Sequence, residues 1–109
     1  MGLIKINKQL DKLSNGNDNV KKNLIDLIIN QTTAEVENLK INLQKKNWNS
    51  VIQTVHKLKS TFMYLQIERA ENLSESILNL TVNDAKEIEE LTNELLPICE
   101  NLIQLLSQN

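Results

Sequence analysis

The stretch VHKLKSTFMYL, residues 55–65, contains the only histidine of the chain, His56, with lysines at 57 and 59. Near neutral pH much of a histidine population is uncharged, and an uncharged imidazole is a nucleophile. An ammonium group beside it can form charge-assisted hydrogen bonds to an anion carried by the ring. These residue types at this spacing suit nucleophilic chemistry on a phosphoryl group, with His56 attacking and Lys59 stabilising the charge.

A helical wheel places His56 at the edge of a buried face. Successive helical residues turn by about 100°, so with Val55 at the origin the apolar side chains lie within about 80° and His56 about 100° away. The methylene stem of Lys59 is expected to pack inward while its ammonium reaches out beside the imidazole. The apolar stripe consists of Trp48, Val51, Val55, Leu58, Phe62 and Leu65.

The side chains around His56 predict a surface on which another protein docks. Ser60, one helical turn further on, is small and leaves room for close approach. Ile52 and Met63 offer apolar surface around a polar centre. The predicted partner-binding residues are Ile52, Gln53, Lys57, Ser60 and Met63.

A plainer interpretation of the same residues stays open at this point. A single histidine at the edge of a helix is most often an ordinary surface residue. Lys57 and Lys59 could equally belong to a solvated face, where charged side chains are usually found. Spacing alone does not separate the two interpretations.

The elements that would position His56 are helices. Two glycines and one proline are too few for the many tight turns of a sandwich or barrel. Apolar residues instead recur at spacings of three and four, which indicates helices. We predict an all-α fold, an antiparallel four-helix bundle with a short extra N-terminal helix, as one domain over 1–109. The expected helices cover about 1–13, 20–44, 48–66, 68–80 and 84–107, since polar turn segments separate them.

Two of these helices contain a feature that could interrupt them. Thr32 to Glu35 matches a capping box, which predicts either two short helices joined near 31–33 or one helix bent there. Pro97 lies inside the last helix and is expected to bend it one turn upstream.

Polar residues before two helices predict where those helices begin. Asp18 or Asn19 is the expected cap of the second helix, and Asn47 or Asn49 that of the third. The apolar positions of the first two helices are Leu3, Ile6, Leu10 and Leu13, then Val20, Leu24, Leu27, Ile28, Val36, Leu39 and Leu43.

The composition argues against several classes of function. A net charge of −2 without a continuous basic stripe argues against nucleic-acid binding. The lone Cys99 is expected in the core, and one cysteine with one histidine predicts no disulfide, no metal site and no cofactor. The apolar runs are too short to cross a membrane and the N-terminus lacks a signal-peptide core, so we expect a cytoplasmic protein.

His56 also belongs to a longer pattern. It runs Val55-His56-Lys57-Leu58-Lys59-Ser60, then Leu65-Gln66, then Ala70, Leu73 and Ile77, and upstream stands LDKLSNGNDNVKKNLIDLI. The pattern resembles the histidine phosphotransfer (HPt) domains of bacterial phosphorelays, whose motif reads approximately A-H-x-L-K-G, then L-G, then leucines at helical spacing. The upstream stretch is similar to the family's short helix, polar loop and long apolar helix, so the resemblance covers most of the chain.

The resemblance implies roles for individual residues. His56 corresponds to the histidine that accepts the phosphoryl group, and Lys59 to the lysine that helps stabilise it. Ser60 stands where the family prefers a glycine that lets a receiver domain come close, so approach should survive with altered affinity. Gln66 replaces a second preferred glycine, and that departure bears on helix packing or helix termination.

The function that the resemblance implies is a phosphoryl shuttle between aspartates of response-regulator receiver domains, including receivers of hybrid histidine kinases. Receivers usually supply the Mg²⁺, and the chain has no Gly-rich phosphate loop, so it would be a phosphoryl carrier without kinase activity and not an enzyme. We expect this carrier to be a monomer. One alternative is a helical adaptor that binds a receiver or kinase domain without being phosphorylated. Another is a structural subunit that associates through an apolar face.

Overall fold

The computed structural model of the chain describes residues 2–108, and for Leu3 the backbone alone. Within this range five α-helices follow one another and no strand occurs, so the all-α prediction is confirmed. The helices are α1 (Leu3–Leu13), α2 (Asp18–Gln44), α3 (Trp48–Leu65), α4 (Glu68–Leu78) and α5 (Ala85–Ser107), with a short 3₁₀ turn at Val82–Asp84.

The last four helices form the bundle. Helix α3 packs against α2 on one side and α4 on the other, and α5 closes the ring by packing against α4 and α2. Short connections make successive helices antiparallel. Helix α1 lies outside the ring against α2 and α3, which gives the predicted bundle with an extra N-terminal helix. The single domain over 1–109 stays a prediction, because Met1 and Asn109 lie outside the described range.

The apolar stripe of α3 fixes how this helix is rotated in the bundle. Its central side chains are at most 1% exposed, and Trp48 at its start is half-buried. Each large apolar side chain buried in this way contributes about 1.5–3 kcal/mol, so turning the stripe toward water would be strongly unfavourable. The fully buried members are Val51, Val55, Leu58, Phe62 and Leu65.

Helix α2 begins at Asp18, two residues before Val20, where its apolar pattern begins. Asn17 has extended backbone angles, and its Oδ1 accepts a hydrogen bond from the Val20 N–H at 3.0 Å. The predicted caps, Asp18 and Asn19, were therefore wrong, because both already lie inside the first helical turn. Asn47 is the residue before α3, as predicted, although its side chain makes no capping hydrogen bond.

The predicted interruption of α2 does not occur as two helices. Residues 18–44 form one continuous helix, and Thr32 is 1% exposed with no hydrogen-bond partner for its hydroxyl. A capping residue must stand at a helix start, whereas Thr32 falls on the buried face of a helix that tertiary packing keeps intact. Helix α5 likewise continues through Pro97. The bends at 31–33 and upstream of Pro97 stay predictions.

Gln66 ends α3 in a conformation that usually belongs to glycine. Its φ of 56° and ψ of 45° lie in the left-handed region. The N–H of Ile67 donates to the Phe62 carbonyl at 3.0 Å and that of Gln66 to the Met63 carbonyl at 3.2 Å, which is the hydrogen-bond pattern of a Schellman cap. The missing glycine therefore does not prevent the turn, although a side chain in this region costs about 1–2 kcal/mol.

Candidate functional site

His56 lies in the middle of α3 with its side chain exposed. The residue before it, Val55, is fully buried, and Leu58 two positions later is 1% exposed, so the backbone on either side is held by the core. His56 thus lies at the edge of the buried stripe, as the helical wheel predicted. The ring lies on the outward face of α3, with α4 on one side of it and α2 on the other. This outward face of α3 is the strip that carries His56.

Lys59 points to the α4 side of this strip. Its side chain is 28% exposed, so the stem packs inward as expected, and its ammonium is ion-paired with the Glu75 carboxylate of α4. With a rise of about 1.5 Å per residue, Lys59 and Glu75 stand at about the same height above the α3–α4 turn. The ammonium was expected beside the imidazole, but it pairs with the Glu75 carboxylate. A helical wheel of α3 could not show this, because Glu75 belongs to α4.

A groove between α2 and α3 borders the other side of the strip. Its polar end has a volume of about 650 Å³ and is lined by His56 together with Lys57 and Ser60. The α2 wall carries two buried oxygen atoms without hydrogen-bond partners, the Thr32 hydroxyl and Oε2 of Glu35. Both residues line the same end of the groove as His56.

The groove continues into an apolar end of about 420 Å³ toward α1. Leu27 and Tyr64, which face each other across it, are 52% and 63% exposed. The two ends share four lining residues and so form one continuous trough. The apolar end is lined mainly by Leu13, Val20, Leu24, Leu27, Ile28 and Tyr64.

Several groove residues belong to the apolar pattern that predicted the first two helices, but they are not part of the core. Leu13, Val20 and Leu27 are exposed, while Ile6 and Leu10 of α1 are buried as expected; Leu3 lies outside the described side chains. The signal was present, because on a 100° wheel Leu27 lies about 140° from the centre of the stripe of α2 that is buried. A wheel centred on that stripe, which consists of Ile25, Ile28, Thr32, Val36 and Leu39, would have found it.

The predicted partner-binding residues fall into two groups. Lys57 and Ser60 line both ends of the groove, and Met63 shares a shallow depression with Ser60 and Tyr64 beside it. Ile52 is half-buried and packs against the core, and Gln53 is exposed on the strip but lines neither end of the groove. Their role in binding stays a prediction.

Cys99, the single cysteine of the sequence, is fully buried in α5. Burial away from water, and secondarily the neighbouring charge of Glu100, raise its pKa from 9.0 to about 12. A thiol is nucleophilic only as the thiolate. Cys99 is therefore a core residue, as predicted.

Between 2 and 108, no three His, Cys, Asp or Glu side chains gather as they would around a metal ion. None of the helices in that range combines the length and the apolar content that a membrane crossing needs.

Known proteins were compared with the chain. No curated protein and no solved structure matches it significantly. The model of the Hpt domain family matches residues 23–109, a span that includes His56, Lys59, all of α4 and all but the first five residues of α2. The chain therefore belongs to the Hpt domain family, whose members have a phosphotransfer role in two-component signalling.

Proposed function

We propose that the chain is a histidine phosphotransfer protein of a phosphorelay, which accepts a phosphoryl group on His56 from a receiver aspartate and passes it to another receiver. Membership of the Hpt family supports the phosphotransfer role. The observation that carries the proposal is the exposed ring of His56 on a helix fixed by the core, between a paired lysine and an open groove.

The proposed reaction is a direct displacement at phosphorus. The lone pair of one ring nitrogen of neutral His56 forms the N–P bond while the P–O bond to the receiver's aspartate breaks, and the electron pair of that bond returns to the carboxylate. The proton on the other ring nitrogen stays in place. The reverse sequence on a second receiver regenerates neutral His56 and a new aspartyl phosphate.

Lys59 is proposed to stabilise the phosphoryl group once it is attached. It follows His56 by three residues, so the two side chains leave the same face of the helix. Its buried stem limits how far the ammonium can wander, and the ammonium can donate up to three charge-assisted hydrogen bonds. No Gly-rich phosphate loop occurs in the sequence, so we propose a carrier without kinase activity, with Mg²⁺ supplied by the receiver.

The receiver domain, free-standing or part of a hybrid histidine kinase, is proposed to dock over the groove. Lys57, Ser60 and Met63 lie beside His56, and Leu27 and Tyr64 extend the apolar surface along the same trough. Tyrosine is among the side chains enriched in binding hot spots. Since this face must stay open, we propose a monomer. We also propose a cytoplasmic location, with which a single buried cysteine outside any disulfide is consistent.

The test is transfer of labelled phosphate from a phosphorylated receiver. We expect the wild-type chain to acquire phosphate that is labile in acid and stable in alkali, and His56→Gln to acquire none. Because the chain has one histidine, phosphohistidine can form only at His56. Lys86→Gln, an exposed change on α5, is the control and should be labelled normally.

Two outcomes would contradict the proposal. Label retained by His56→Gln would move the phosphate to another residue. A receiver that binds wild type and His56→Ala equally tightly, with no label on either protein, would favour the adaptor that is never phosphorylated.

A further inference from the structure

One ion pair connects the surroundings of His56 to another helix. The Lys59 ammonium of α3 and the Glu75 carboxylate of α4 are bonded, and Glu75 is 59% exposed on the outer face of α4. From the α3–α4 turn, Lys59 stands about 9 Å up its helix, Glu75 about 10 Å and His56 about 13 Å. The carboxylate therefore lies within about one helical turn of the nucleophile in height, on the side opposite to the groove.

We propose that Glu75 is a positioning residue for the transfer: it holds the Lys59 ammonium on the α4 side before phosphorylation and competes with the phosphoryl group for it afterwards. This inference rests on the proposed function of His56. It assigns to Glu75 the task of limiting how tightly phosphohistidine is stabilised, so that the group passes readily to the next receiver.

The competition follows from the charges involved. A phosphoryl group on His56 brings about two negative charges to a position one turn from Lys59, whereas Glu75 carries one. An exposed ion pair such as Lys59–Glu75 is weak, so the ammonium can swing toward the stronger anion. Glu75 then loses its ion-pair partner, and the negative charge of Glu75 is left near the phosphoryl group. Both effects raise the free energy of the phosphorylated state.

The experiment measures the equilibrium between phosphohistidine and phosphorylated receiver in the full chain. Glu75→Gln removes the charge and keeps the shape of the side chain. We expect the ratio of phosphohistidine to phosphorylated receiver to rise about two- to fivefold, the range that an exposed ion pair accounts for. Glu68→Gln is the matched control, because it removes the same charge from the same helix at the far end, about 10 Å further down; its ratio should stay at the wild-type value.

A second pair of variants tests whether the effect passes through Lys59. In a Lys59→Met background, Glu75→Gln should change the ratio far less than it does in wild type, as expected for two residues that interact directly. Circular dichroism of all four proteins checks that the helix content is unchanged.

Three results would overturn the inference while leaving the proposed function intact. The first is a wild type that is labelled while Glu75→Gln leaves the ratio of phosphohistidine to phosphorylated receiver unchanged or lowers it. The second is a rise of this ratio in Glu68→Gln as large as that in Glu75→Gln. The third is an effect of Glu75→Gln that is as large in the Lys59→Met background as in wild type. An unlabelled wild type would instead contradict the proposed function of His56 itself.

Discussion

The two sides of His56 differ in kind. On the α2 side the surface is open, apolar over much of its length, and contains two buried oxygens without partners. On the α4 side the surface is closed by the Lys59–Glu75 ion pair. On the proposed function, the groove side recognises the receiver by shape, and the ion-pair side controls charge at the phosphoryl group. The proposal thus predicts that binding and phosphoryl chemistry lie on opposite sides of α3, and that each can be changed without the other.

The largest expected effect comes from placing a charge in the apolar end of the groove. Leu27→Asp should weaken binding of a receiver at least about tenfold, because a carboxylate there must be desolvated when the partner docks. Leu27 is half-exposed, so the fold should tolerate the change. Isothermal titration with a receiver measures the affinity.

Ile41→Asp is the control for this prediction. Ile41 is exposed to a similar extent on the same helix, about 21 Å further along its axis. Equal weakening by both substitutions would show that charge anywhere on α2 disturbs binding, and the groove would lose its special role.

The next effect should appear on the ion-pair side. Lys59→Met keeps the apolar stem and removes the ammonium, so the ratio of phosphohistidine to phosphorylated receiver should fall about tenfold, as expected for a lost charged hydrogen bond. Receiver affinity should stay within twofold of wild type. A large loss of affinity with an unchanged ratio would mean that Lys59 belongs to the docking surface, and the division between the two sides would fail.

Ser60→Gly should have a smaller effect, on the groove side. The smaller residue lets a partner approach more closely, so we expect receiver affinity to rise a few fold. Glycine is a poorer helix former than serine, so the free energy of unfolding should fall by about 0.5 kcal/mol. Titration and chemical denaturation measure the two quantities. Ser76→Gly, an exposed change inside α4, should show the loss of stability alone. An unchanged affinity in Ser60→Gly would mean that the hydroxymethyl group does not limit docking.

Gln66→Gly should affect stability alone. Its left-handed backbone suits glycine, so the free energy of unfolding should rise by about 1 kcal/mol in chemical denaturation. Lys46 follows the end of α2 and also has a left-handed backbone, with a φ of 57°. Lys46→Gly should therefore give a gain in stability of similar size. Since Gln66 joins α3 to α4, a change in the phosphohistidine ratio would show that this turn adjusts the ion-pair side. We expect no such change.

The residues that the sequence predicted well are those whose environment depends on their own helix. The stripe through Val51, Val55 and Leu58 follows from a period of 3.6, and His56 at its edge follows from the same geometry. The capping box at Thr32 was misleading because packing kept α2 continuous. Glu75 could not be predicted as the partner of Lys59, since that pairing depends on how two helices separated by a turn are aligned.

Helix α1 lies before residue 23, where the match to the family begins. Its Ile6 and Leu10 are anchored in the core, so the Leu13 side chain that it brings to the groove stands on a fixed support. Gln9 adds a hydrogen bond from its Nε2 to the Tyr64 carbonyl at 2.8 Å. On the proposed docking mode, the segment contributes part of the docking wall from outside the region that the family model matches. On the proposed function, substitutions there would change which receivers the chain serves, and a lineage could rewire its signalling while the proposed phosphoryl chemistry of His56 and Lys59 stays the same.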